Sequence, residues 1–98
     1  MKAVMKTKLE KGVEIVDVPT PKVKPEMVLI KVKAAGICGS DLHFYNATET
    51  GPALPYIPYI LGHEGAGDVV EVGKGVEDVK VGDRVTYNPF VSKQNQFC

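Results

Sequence analysis

A chain of 98 residues is one domain or a piece of one, with room for a real but small core. Its 12 Lys+Arg balance 12 Asp+Glu, which excludes the broad cationic surface that nucleic-acid phosphates require. With 44% hydrophobic and 24% charged residues it is too apolar for a disordered tail. Its longest aliphatic run, Met27-Val28-Leu29-Ile30, is far short of the roughly 20 residues that span a membrane.

Fifteen Val and five Ile against five Leu point to strands, because β-branched side chains suit pleated, half-buried surfaces. In chain order, Val4–Leu9 and Val13–Val18 alternate in polarity around Glu10-Lys11-Gly12 and predict a hairpin. Charged and apolar residues alternate from the first positions, so no signal-peptide core is expected in this stretch. Met27–Ala35 is the clearest strand, with Val28, Ile30, Val32 and Ala34 on one face and Lys31 and Lys33 on the other. A short helix is expected over Asp41–Tyr45, with Ser40 as its N-cap. Asn46–Pro58 carries Pro52, Pro55 and Pro58 and reads as an irregular surface excursion. Asp68–Val72 and Arg84–Val91 are two further strands, bounded by the turn signals Gly73-Lys74-Gly75 and Gly82-Asp83. Short strands and frequent glycine turns suggest a barrel or sandwich rather than alternating βα units.

The residues able to do chemistry fall in two segments, Gly36-Ile37-Cys38-Gly39-Ser40-Asp41-Leu42-His43 and Leu61-Gly62-His63-Glu64-Gly65. Cys38 lies between a strand end and a helix N-terminus, whose positive end favours the thiolate that binds metals or attacks carbon. One Cys and one His 25 positions apart are by themselves a weak signal for zinc, and a lone cysteine is more often a small buried hydrophobe. His63 alone reads equally as a loop histidine, and Asp41 as a first-turn acid complementing the helix dipole. His43 alone reads as a solvated residue on a short helix. Phe44 and Tyr45 read as core or as pocket wall, and Ser40 could be only a cap. Gly65-Ala66-Gly67 imitates a dinucleotide fingerprint, but Val70 stands at the third glycine and a strand follows, so the match is spurious. Cys38 and Cys98, sixty positions apart, make a poor disulfide framework, and reduced thiols in the cytoplasm are the simplest expectation.

The pattern around these residues is more specific. Gly62-His63-Glu64, then Gly67, Gly73 and Val76, resembles the G-H-E-x-x-G-x5-G-x-x-V signature of zinc-containing alcohol dehydrogenases. Cys38-Gly39-Ser40-Asp41-Leu42-His43 likewise resembles that family's first zinc-ligand segment. Ala35–Asp41 reads like the polyol and threonine branch of the medium-chain dehydrogenases, sorbitol and xylitol dehydrogenases among them, and the likeness runs from Met1 to Val91.

The resemblance implies a mainly β fold, the GroES-like partly open β-barrel with one or two short helices. It implies a catalytic Zn2+ with Cys38 and His63 as ligands and Glu64 as a third ligand or a close supporting carboxylate. Adjacent strand residues face opposite ways, so His63 and Glu64 can share a metal only where the backbone is irregular. Asp41 would orient the His63 ring, Ser40 would hydrogen-bond the substrate hydroxyl, and His43 would pass a proton towards solvent. The implied reaction is oxidation of a secondary alcohol or polyol: zinc acidifies the hydroxyl, and hydride leaves to NAD or NADP. The full-length enzyme would be a homo-oligomer. Two family features have no counterpart here. There is no G-x-G-x-x-G turn of a Rossmann domain, and Lys93 and Gln96 stand at the first two cysteine positions of the structural-zinc loop. The chain is therefore expected to be a GroES-like domain over residues 1–98, truncated at its C-terminal end and inactive alone. Two rival expectations are a non-catalytic GroES-like binding or oligomerising module, and a Cys38/His thiol enzyme.

Overall fold

The branched aliphatics do form strands. A computed structural model describes residues 1–49, 51 and 57–89. Their elements run β1 (Lys2–Lys6), β2 (Glu14–Asp17), β3 (Val28–Ala35), α1 (Gly39–Asn46), β4 (Tyr59–Ile60), β5 (Gly65–Val72) and β6 (Arg84–Thr86). They make two three-stranded antiparallel sheets, β2-β1-β4 and β3-β5-β6, neither of which closes on itself. The mainly β expectation is met. The chain divides into two compact units, Met1–Pro21 with Ile37–Gly62, and Lys22–Gly36 with the chain from His63 onward.

In the first unit the expected hairpin is present, β1 pairing with β2 from Lys2↔Asp17 to Met5↔Glu14. Its first strand nevertheless starts two residues early and stops at Lys6 rather than Leu9. The cause is Lys6, whose ammonium donates to the carbonyls of Glu10 and Gly12, so the chain folds back over it instead of extending the ladder. The two-residue strand β4 was too short to leave a periodic trace in the sequence. It brings the end of the proline-rich excursion back to β1 through Met5↔Ile60 and Lys6↔Tyr59. Pro52 and Pro55 lie outside the described residues.

In the second unit β3 pairs with β5 from Val28↔Val72 to Ala35↔Gly65, with register shifts at Leu29/Ile30 and Val32/Ala34. Those irregularities correct the expected single apolar face. Val28, Leu29 and Ile30 are all half-buried, while Val32 is 55% exposed, because each bulge offsets the two-residue alternation. β5 begins at Gly65, three residues before the expected Asp68. β6 covers only Arg84–Thr86 of the expected Arg84–Val91, and Phe90 and Val91 lie outside the described residues. Both glycine turns are where expected: the Gly73 amide donates to the Met27 carbonyl at 2.7 Å and the Gly82 amide to the Val69 carbonyl at 2.9 Å. Among the described residues only Ala3 and Val69 are buried apolar side chains, and Lys6 is the buried charged one. No described helix is long and apolar enough to cross a membrane.

Candidate functional site

The first chemistry-bearing segment is built around the start of α1. The helix begins at Gly39, two residues before the expected position, and its N-cap is Cys38 rather than Ser40. Asp41 explains the shift. Its carboxylate accepts the Cys38 amide at 2.9 Å, while its own amide donates to the Cys38 carbonyl at 3.0 Å. An acidic side chain at the third helical position thus does the work of a capping box, and its charge sits favourably on the positive end of the helix. Cys38 is half-buried directly at that end. Ser40 lies within the first turn and is half-buried, as is Asp41, whereas His43 is exposed on the last turn.

Phe44 and Tyr45 are not core residues. Phe44 is half-buried with its ring edge-on to Tyr59, centroids 5.6 Å apart, and Tyr45 is 39% exposed. A cleft of about 630 Å³ on the β3-β5-β6 sheet, floored by Ala34, Ala66 and Val85, includes none of the candidate residues.

The second segment joins β4 to β5. Residues Leu61–Glu64 lie outside both strands, and Gly62 takes a φ of +104°, a bend open to glycine without strain. The irregular backbone that His63 and Glu64 need to act together is therefore present. His63 is half-buried and Glu64 is exposed. The Gly36 amide donates to the Glu64 carbonyl at 2.8 Å, carrying the β3–β5 pairing one step past Ala35↔Gly65. The Glu64 carboxylate folds over the bare Cα of Gly36. A methyl group at position 36 would overlap that carboxylate and lie 3.1 Å from the Glu64 Cβ.

The chain leaving β3 and the chain entering β5 are thus hydrogen-bonded neighbours at one end of a strand pair. Cys38 follows Gly36 by two peptide links of about 3.8 Å each, and His63 precedes Glu64 by one. Covalent connectivity alone carries both to this end of the pair. Sequence reasoning missed the space left by Gly36, since a glycine before a helix has many ordinary uses. It also missed Lys6, whose only trace was a charge in register with Val4 on one strand face. Cys98, Lys93 and Gln96 lie outside the described residues.

Comparison with known proteins adds an independent measure. The alcohol dehydrogenase GroES-like domain model matches residues 24–98. The chain is 54% identical over 91 residues to the L-threonine 3-dehydrogenase of Thermococcus kodakarensis, covering 93% of this chain and 26% of that protein. The crystal structure of 2R,3R-butanediol dehydrogenase from Bacillus subtilis matches with a TM-score of 0.75 at 43% identity, over 87% of this chain and 26% of that one. A solved NAD-dependent alcohol dehydrogenase matches with a TM-score of 0.80 at 35% identity, over 96% and 27% of the respective chains. The chain spans about a quarter of the length of these relatives.

Proposed function

The chain belongs to the family of alcohol dehydrogenase GroES-like domains, and on that premise we propose that it is the zinc-holding catalytic part of an NAD(P)-linked dehydrogenase acting on a secondary alcohol. Cys38, His63 and Glu64 hold the ion. The donor set fits: thiolate, imidazole and carboxylate are the side chains zinc prefers, and three protein donors leave a fourth position for water or substrate. The observation that supports the reading is the Gly36–Glu64 hydrogen bond, which joins the end of β3, two residues before Cys38, to the residue that follows His63. The alternative, a metal-free binding module, assigns no role to this set of a soft donor, an imidazole and a carboxylate.

Bound zinc supplies Lewis acidity at the substrate oxygen. The remaining work belongs to the chain. Asp41 fixes the Cys38 backbone through its cap, and a carboxylate can accept further bonds, so it also orients the His63 ring. Ser40, in the first turn of α1, hydrogen-bonds the substrate hydroxyl and takes its proton onward. His43, exposed on the same helix, passes that proton to solvent. Phe44 and Tyr45 wall the substrate. The hydride acceptor is a nicotinamide coenzyme. These 98 residues contain no G-x-G-x-x-G turn to hold it, so the chain by itself binds metal without turning over. A secondary hydroxyl as substrate is supported by two relatives' names, a threonine 3-dehydrogenase and a 2R,3R-butanediol dehydrogenase. A thiolate ligand has to stay reduced, which fits the cytoplasm.

The test is metal content. The purified chain should carry about one zinc per molecule, by atomic emission, and Cys38→Ser or His63→Ala should remove it while far-UV circular dichroism stays unchanged. A folded, metal-free wild-type chain that takes up no added zinc would sink the proposal and favour the binding module.

A further inference from the structure

Helix α1 has little of what normally holds a helix in place. It is eight residues long, where isolated helices shorter than about 12 are marginal, and none of its side chains is buried. It therefore lacks the apolar stripe through which a surface helix docks. What it has is polar, and it lies at the opposite end from Cys38. Lys6 on β1 is fully buried, and its Nζ donates to the Tyr45 carbonyl at 3.1 Å, to the Gly12 carbonyl at 3.3 Å and to the Glu10 carbonyl. Three donors meet three acceptors, which is the condition for keeping an ammonium out of water. The Tyr45 carbonyl belongs to the last turn, where helix carbonyls have no partner within the helix and carry the negative end of the dipole. A second donor, the Gly12 amide, reaches the same oxygen at 2.8 Å. The Phe44–Tyr59 ring contact lies beside it.

We propose that Lys6 is a positioning residue for the metal centre. Its buried ammonium clamps the C-terminal turn of α1 and the 7–13 loop together. Because a helix is stiff along its axis, the clamp fixes the Cys38–Asp41 end from which a ligand, its cap and Ser40 project. The positioning role rests on the zinc reading above; the clamp itself does not.

The experiment uses the 98-residue chain with Lys6→Met, which keeps length without charge, and Lys6→Arg, which keeps donors and charge. Amide hydrogen exchange is followed on α1 and on the β3–β5 ladder, and cobalt(II) is titrated as the spectroscopic probe of a thiolate site. In Lys6→Met, α1 amides should exchange at least about tenfold faster, with the β3–β5 amides unchanged. Cobalt affinity should fall about tenfold and the sulfur-to-cobalt band should weaken, as when a residue supporting a metal ligand is lost. Lys6→Arg should recover part of both. Unchanged α1 exchange overturns the clamp. Faster exchange with wild-type cobalt affinity overturns the positioning role. A wild-type chain that gives no cobalt band overturns the zinc reading and the positioning role with it, and exchange still decides the clamp. Should Lys6→Met not fold, Lys6→Gln, which keeps two N–H donors on a shorter stem, takes its place under the same criteria.

Discussion

Glu64 occupies space that only a glycine leaves. The contact between its side chain and the Gly36 Cα makes position 36 a lever on one proposed ligand while the Gly36–Glu64 backbone bond stays intact. Gly36→Ala should therefore displace the carboxylate and weaken zinc binding by about 10-fold or more, in the range seen when ligand-supporting contacts are lost. Glu64→Gln should cost a similar amount. The double variant should be no worse than either, because both changes act through one side chain. Competition with a chelating dye measures all three, and fully additive losses would show that Glu64 is not the link.

The start of α1 is decided by Asp41 rather than by the hydroxyl two residues after Cys38. Asp41→Ala removes the acceptor for the Cys38 amide and should cost about 1 kcal/mol in denaturant unfolding, typical of a lost N-terminal cap. Asp41→Asn keeps an oxygen acceptor and should cost less. Equal losses in the two variants would mean that the charge, not the cap, is what matters. The strands with regular alternation were legible: the hairpin, β3 and β5 all stand near where polarity placed them. The bulges in β3 were not, since a register shift is chosen by the partner strand and leaves no mark of its own in the β3 sequence. β4 is two residues long and exists only because β1 offers Met5 and Lys6 to pair with.

With two buried apolar side chains among the described residues, cross-links other than a hydrophobic core should weigh heavily in stability. A ligand that binds only the folded state adds about 2.7 kcal/mol at a hundred times its Kd. For a chain of this size each kcal/mol moves Tm by about 4–8 °C. Stripping zinc with a chelator should thus lower Tm by on the order of 10 °C, as measured by scanning calorimetry, and Cys38→Ser should be insensitive to the same treatment. Identical wild-type melting with and without chelator would count against an ion bound to the folded chain. The surface ion pair between Lys2 and Asp17, 2.7 Å apart but largely exposed, should contribute little by comparison.

Fold class and family were written in the residues themselves. Val-rich alternation gives strands through local sterics, and Cys38, His63 and Glu64 with their surrounding glycines fix which donors a metal could find. The folded chain alone decided the rest. Asp41 outcompeted Ser40 for the helix start, Lys6 ended β1 early by drawing carbonyls around its ammonium, and Glu64 settled over Gly36. The cap is local, three positions from Cys38, whereas Lys6 also draws in the Tyr45 carbonyl, 39 positions on, and Glu64 meets Gly36 only through the β3–β5 pairing. No local pattern can encode the last two, whose partners meet only when the chain has folded.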